Sequence, residues 1–490
     1  MRAPGIRKGR RAAAAAISAR LSDHVALKAR ADGKILVNFG GYSIGLGTFS
    51  AEAGERARKL RAGLPLAALG RGRRNSDKEL ELLVWRLAKH GFLEYRLRCA
   101  RTGEDLLVIE PQVADYWPRT APLADADTLV LSRFAYLRRR GSELVLESPR
   151  AGALFRICDP DIAAVLAALT TPQPVKRLRR EHGAAGLEFL ALLLDCQILL
   201  KAKAGDGGLR PSEGDHDLVL WDFHDLLFHS RSTEGRHANP IGGTYPHIAA
   251  IAPLPAVRLP WPGNKIDLSD AATPPAPLST AAQLLRARHS TRSFDDGEPV
   301  TIAELAQFFD GTARVLSSGE GPIDEDGGGP VVGYTTRPYP SAGASYELEL
   351  YLAVNFCAGL DRGFYHYDAG AHALTPISAA TPELEALLAA AQAAMGAPAP
   401  PQVLITIAAR FGRMSWKYSS LAYRVILEDA GVLLQSFYLM ATDMGLGGCA
   451  VGIANIDLFA RLTGIAFHVE GPVGQFALGG ITRSRNPTAR

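Results

Sequence analysis

Apolar positions recur at intervals of three and four through "LAYRVILEDAGVLLQSFYLMATDMG", at Ala422, Val425, Ile426, Ala430, Leu433, Phe437, Met440 and Met444. That is a helical period. Leu427, Val432 and Leu439 fill the other faces, so the pattern predicts a long helix over 418–444, apolar nearly all round and therefore buried. At 1.5 Å per residue it is about 40 Å long, the width of a domain, and Gly445 is a natural stop. The same patterning predicts helices over 279–288, 301–309, 381–395 and 456–462, and strands over 346–354, 364–367, 402–409 and 473–480.

Upstream the period changes more often. "KILVNFGGYSIGLGTFS" alternates as strands do around a glycine turn. "SDKELELLVWRLAKHGFLEYRL" opens with Ser76 as a cap and Glu79 three residues later, runs as an amphipathic helix, stops at Gly91 and turns to strand. The order recurs further on. A hairpin surrounds Gly141, a helix follows Asp159 and Pro160, and "GLEFLALLLDCQILLKA" is a second helix leading to strand. The predicted fold class is α+β: a basic tail (1–24), two small winged-helix-like modules (25–115 and 126–203), a Pro- and Gly-rich connector (204–278) with a short helix at 221–228, and a large α/β domain with a long central helix (279–490).

Composition adds limits. The 490 residues are 47% apolar and 21% charged, which fits a globular chain of more than one domain. A net charge of +4 gives no case for nucleic acid, and the clusters Arg71–Arg74, Arg138–Arg140 and Lys176–Arg180 read as solvated faces. Cys99, Cys158, Cys196, Cys357 and Cys449 are scattered without a C-x-x-C, so neither a zinc site nor a disulfide framework is expected, and a reducing cytoplasm is. No run of about 18 uninterrupted apolar residues occurs, so no membrane span is expected. His366 and His372 flank a turn without a third ligand, which predicts no metal; His224, His229 and His237 read as surface residues of the connector. Glu428 and Asp429 fall inside the apolar helix and must find partners; Arg424, one turn earlier, is a candidate for Glu428.

Three stretches carry candidate chemistry. In "RARHSTRSF", Arg288, Ser290 and Arg292 share one face of an extended segment, an arrangement suited to a phosphate. In "RPYPSAGASYELELYLAV", a turn of small residues at Pro340–Gly343 lets backbone approach a flat ligand. "GLGGCAVG" offers bare backbone after the long helix, but it is not G-x-G-x-x-G and follows no strand, so a Rossmann site is not supported.

Taken in this order, "WDFHDLLFHSRS", "RHSTRSF", "YPSAGA", "GFYHYD" and "KYSSLAYRVILEDAG" resemble the SagB-type dehydrogenases, FMN-dependent azoline oxidases within the nitroreductase-like flavoprotein superfamily. The resemblance covers 215–490 well and the modules before it more loosely. It implies that Arg288, His289, Ser290 and Arg292 hold the FMN phosphate and ribityl chain. Pro340, Ser341, Ala342 and Gly343 would lie along the isoalloxazine ring, with Gly445, Leu446, Gly447 and Gly448 approaching from the other side. Arg483 or Arg485 would complete the phosphate site. It also implies a homodimer, a modified precursor peptide as substrate and a cyclodehydratase complex as partner.

Lys417 and Tyr418 match the catalytic Lys–Tyr pair of that family. Aromatising a thiazoline or oxazoline removes a hydride and a proton, and a lysine desolvated near a helix N-terminus is suited to take the proton. Val432 and Ser436 stand where the family helix carries His and Asn, and His289 departs from its R-R-S, which leaves a divergent substrate open. Two other readings stand beside this one: a nitro-, quinone- or enone-reductase-like flavoenzyme using NAD(P)H, and a degenerate flavodomain that scaffolds a peptide-modifying complex.

Overall fold

A computed structural model describes residues 15–39, 42–69, 74–99, 102–113, 115–202, 211–236, 249–258, 278–323 and 330–482, with a few positions between 260 and 268. The chain divides into two units, 1–238 and 239–490.

The first unit is built on one antiparallel sheet of seven strands, in the order 64–65, 15–21, 93–99, 105–111, 153–157, 143–147, 136–140. Two expectations change here. Residues Ala15–Leu21, read as part of a basic tail, form a strand paired along its whole length with Leu93–Cys99. Strands of both expected modules, 25–115 and 126–203, are joined in this sheet through the pairing of Asp105–Pro111 with Ala153–Ile157, while the strands within 25–48, and those at 128–131, 173–174 and 199–202, form two further three-stranded sheets. Alternation explains the joint. Leu107, Ile109 and Phe155 point to a common buried core while Glu110 and Arg156 share the opposite face.

Helix Asn75–Lys89 buries Leu80, Leu83, Val84 and Leu87 in that core. Its cap is not Ser76, whose side chain is buried; Arg74 takes the N-cap position, and Glu79 accepts hydrogen bonds from Ser50 instead. The Asp159 cap and the Gly141 hairpin form as expected. The connector helix is Phe223–Ser232. His229 on it is fully buried and stacks on Trp221, so it is not a surface residue; His224 is exposed beside Asp222, and His237 lies outside the described residues.

The second unit contains α1 (Thr280–Ala287), α2 (Ile302–Thr312), a separate hairpin β1–β2 (Ser317–Pro322, Val331–Thr336), β3 (Leu348–Val354), β4 (Gly363–Asp368), β5 (Ala373–Ile377), α3 (Thr381–Met395), β6 (Val403–Arg410), α4 (Phe411–Ser415), α5 (Ala422–Asp443), β7 (Gly447–Val451), α6 (Ile456–Thr463) and β8 (Glu470–Gly479). The main sheet has the order β5-β4-β3-β6-β8-β7, and every neighbouring pair is antiparallel. This is an α+β arrangement rather than a wound parallel sheet. α3 and α6 cover one face, around Tyr351, Leu387, Leu404 and Phe459.

α5 covers the other face. Phe437 packs against Phe308 of α2 and Phe476 of β8, at centroid distances of 5.1 and 5.4 Å. The helix is shorter than expected and is not buried all round: Ile426, Ala430, Leu433, Phe437 and Ala441 form its covered stripe, while Leu421 and Val432 are exposed. By length and composition α5 is the one described helix that could cross a bilayer, but its inward stripe packs as the core helix of a domain does.

Candidate functional site

Two polar clusters lie along α5, centred on Tyr438 and Asp429. Nine residues separate them, about 14 Å at 1.5 Å per residue.

At the Tyr438 end, the segment after α1 is extended, as its alternation requires. The Arg288 guanidinium lies 4.9 Å from the centre of the Tyr438 ring, and Ser290 Oγ is 2.8 Å from the Tyr438 hydroxyl. That hydroxyl also accepts from Ala450 N of β7 at 2.8 Å, and Thr291 N donates to Gly448 O at 2.8 Å. One phenol thus ties loop, helix and edge strand together. His289 and Arg292 are exposed, and His289 Nδ1 lies 3.1 Å from Ala287 O. Neither Arg288 nor Arg292 has a carboxylate partner among the described residues, so the cluster presents uncompensated positive charge suited to an anion. Tyr438 was not singled out from sequence. Its only signal there is a phenol in the apolar second half of the helix.

Gly445 to Gly448 behave differently from expectation. Gly445 ends α5 with φ +67 and is exposed, but Leu446, Gly447 and Gly448 are buried. A β-carbon on Gly448 would strike the Phe476 ring, and one on Gly447 would meet Thr291 and Ile481. Gly447 and Gly448 permit close packing of β7, while Gly445 keeps open space beside its backbone. Arg483 and Arg485 lie outside the described residues.

The Asp429 end holds the Pro340–Gly343 turn. Gly343 (φ +56), Ala344 (+52) and Tyr346 (+46) are all left-handed, a conformation that costs a non-glycine residue on the order of 1 kcal/mol or more and persists only where surroundings impose it. Here the surroundings do. Ala342 N donates to both oxygens of Asp429 at 2.9 and 3.1 Å, and Ser341 Oγ donates to Asp429 Oδ2 at 2.9 Å. Tyr346 N donates to Ser341 Oγ at 2.9 Å. The Tyr346 ring meets Tyr339 edge-on and lies under the Arg337 guanidinium. Asp429 therefore has the turn as its partner. Glu428 pairs with Arg424 at 2.9 Å on the exposed face.

Lys417 and Tyr418 meet this turn. Lys417 Nζ donates to Gly343 O at 2.8 Å, and a β-carbon on Gly343 would collide with both the Lys417 amine and the Tyr418 hydroxyl. The pair is not in the first turn of α5, as expected. It occupies the turn between α4 and α5, with Ser420 at φ +60 closing it, and Lys417 is exposed in the single chain. The proposed desolvation and helix dipole therefore do not act on Lys417 within this chain. Beneath the turn, Glu347 is fully buried; burial, and then the Asp429 carboxylate, push it up to about 7. Nothing in the sequence marked Glu347.

The two histidines at the far hairpin have protein partners: His366 pairs with Glu349 at 3.2 Å, which holds it above the usual range, and His372 Nδ1 is 2.8 Å from the Tyr367 hydroxyl. Val432 O accepts from Ser436 Oγ at 3.0 Å.

The fold and the two clusters define an oxidoreductase domain of nitroreductase-like architecture. Residues 285–480 match the nitroreductase family model, and residues 129–238 match that of the cyanobactin oxidase ThcOx. A nitroreductase of Methanocaldococcus jannaschii is 32% identical over 165 residues, which is 34% of this chain and 74% of the relative. The chain belongs to the nitroreductase family. The oxidase match ahead of the nitroreductase match bears out the resemblance to SagB-type dehydrogenases. Similar solved structures include the E. coli microcin synthetase McbBCD complex with truncated pro-MccB17 bound, at 18% identity over 56% of this chain and 98% of that one with a TM-score of 0.36. A nitroreductase of Ralstonia eutropha JMP134 is 23% identical over 48% of this chain and 100% of that one, with a TM-score of 0.33.

Proposed function

We propose that the protein is an FMN-dependent dehydrogenase that oxidises azoline rings to azoles in a ribosomally made peptide. The observation that carries the reading is the meeting of Lys417, Tyr418 and the Gly343 turn at one point of the surface. The residues fit the cofactor at its phosphate end: Arg288 and Arg292 offer unneutralised guanidinium charge to a phosphate, while the bare face of Gly343 carries Lys417 and Tyr418. When bound, FMN supplies the hydride acceptor. Lys417 would take the ring proton, with Gly343 O holding its amine and Tyr418 beside it to orient or relay.

A homodimer is part of this reading. The exposed apolar side chains of α5, Leu421 and Val432, suit cover by a second copy. The precursor peptide and a cyclodehydratase partner follow from the same resemblance, and a cytoplasmic setting from the scattered cysteines.

Purified protein is expected to be yellow and to release FMN on denaturation; a colourless protein that cannot be reconstituted would end the reading. Lys417→Ala is expected to keep the flavin and lose about 10²–10⁴ in azoline oxidation. Wild-type turnover by that variant removes Lys417 from the chemistry. NAD(P)H oxidation without activity on azoline peptides would favour a nitro- or quinone-reductase instead.

A further inference from the structure

Below the turn, Glu347 and Asp429 approach one another without a cation. Glu347 is fully buried and Asp429 is 6% exposed. The Ser341 hydroxyl stands between them, 2.9 Å from Asp429 Oδ2 and 3.3 Å from Glu347 Oε2, and its single hydrogen serves only one. Glu347 Oε1 and the Tyr339 hydroxyl, both buried, have no hydrogen-bond partner among the described residues.

The nearby cations form no ion pair with either acid. Arg337 donates from Nη1 to Leu348 O, though its buried Nε has no partner among the described residues; Arg413 donates to Ser345 O and Gly333 O, and Lys417 to Gly343 O; Arg410 pairs with Glu349. No ion pair to Glu347 or Asp429 forms among the described residues. Two buried carboxylates without a cation cannot both stay ionised cheaply; a shared proton removes the repulsion and the desolvation of one charge.

We propose that Glu347 and Asp429 share one proton and act as positioning residues for the Pro340–Gly343 turn, so that loss of the proton loosens the seat of Lys417 and Tyr418. Asp429 keeps the Ala342 N–H and Ser341 hydroxyl; Glu347, neutral, sits against it without repulsion. The charged and titratable groups that bear on the pair are Tyr339, Arg337 and Glu349, with Lys417 and Tyr418 on the outer side of the turn. The effect on catalysis rests on the azoline-oxidising reading, whereas the shared proton does not.

The sign follows from the raised value of Glu347. Its proton contributes stability fully present below the unfolded carboxyl value of 4.5 and lost as pH rises through about 7. Glu347→Gln keeps a neutral side chain at every pH. Melting of the full chain from pH 4.5 to 8 should therefore show the variant gaining on the wild type by several degrees as pH rises to about 7, with no further change above. Infrared spectra of the wild type near pH 6 should hold a protonated-carboxyl band that Glu347→Gln lacks. In FMN-loaded protein, the wild-type kcat should fall as pH rises through about 7, where the folded protein loses this proton, and the variant should lose that limb while KM stays within about twofold. A melting gap independent of pH, or an infrared band unchanged in the variant, overturns the proposal. If Glu347→Gln does not fold, infrared titration of the wild type against Asp429→Asn decides: a band titrating near 7 in the wild type and displaced in Asp429→Asn supports the pair, and its absence refutes it. Failure to turn over azoline peptides sinks the proposed function and leaves the melting and infrared outcomes to judge the pair.

Discussion

The sheet of the first unit and the turn of the second handle buried and half-buried charge in opposite ways. On the sheet, Glu94 meets Arg20, Arg96 and Arg156; Asp105 meets Arg96 and Arg98; Glu110 meets Arg140 and Arg156; and Glu143 meets Arg140 and Arg156. Each carboxylate has at least two guanidiniums, and each guanidinium at least one carboxylate. The lattice runs across six strands and is electrically closed. Beside α5 the charges are left open: Glu347 and Asp429 have no cation, and Arg288 and Arg292 have no acid, among the described residues. A closed lattice needs no ligand to explain it. Open charges of both signs, about 14 Å apart on one helix, are what a site for a molecule with an anionic end and a flat end requires.

The largest expected effect tests the open side. Gly343→Ala places a methyl where the Lys417 amine and the Tyr418 hydroxyl now sit. Both are ends of flexible side chains and can move, so the fold should lose only about 1–2 kcal/mol, the cost of an L-residue at positive φ. Azoline oxidation should fall about 10²-fold, because displacement of a reacting group by about 1 Å costs that much. Unchanged turnover with normal melting would show that the seat does not matter. Next comes Arg288→Ala. It removes one uncompensated charge and the contact with Tyr438, and should weaken FMN binding about 10- to 100-fold in a fluorescence titration. Tight binding by that variant would close the charge count at Tyr438 and dissolve the contrast. The smallest effect belongs to the lattice. Glu94→Gln leaves Arg96 with Asp105, Arg156 with Glu110 and Glu143, and Arg20 with Asp23. Its cost should be about 1 kcal/mol by denaturant melting and should shrink with added salt, with flavin content untouched.

Much of the second unit was readable because its elements carry strong periods. α2, α3, α5 and α6 fall close to where the three-four spacing puts them, β6 is dense in β-branched residues, and β3 holds the apolar run 350–354. The misses share a cause. β7 reads as a ligand loop because Gly447 and Gly448 have no side chains to alternate, yet their lack of a β-carbon is what lets the strand lie against Phe476 and Thr291. β1 is glycine-rich in the same way. Ala15–Leu21 was hidden by basic and alanine-rich neighbours, and becomes a strand through partners 72 to 84 residues later, from Leu21 opposite Leu93 to Ala15 opposite Cys99. Long-range pairing of that kind leaves no local trace. The site was half legible. Lys417, Tyr418 and the Pro340–Gly343 turn were each named from sequence, and the structure brings them together. That Asp429 needed a partner was also readable, but the partner lies 87 residues upstream at Ala342. Glu347 sits in "SYELELYL", where alternation gives it no distinction from Glu349.

α5 has one more property. Asp429 faces the turn and Tyr438 faces the cation cluster, so the stretch between them works as a ruler, fixing both a distance and a bearing. One residue inserted between Ala430 and Phe437 would lengthen it by only about 1.5 Å but swing one end by about 100° relative to the other. The number of residues in that interval is thus as much a component of the site as any side chain in it, and a relative that changes it should have abandoned the ligand.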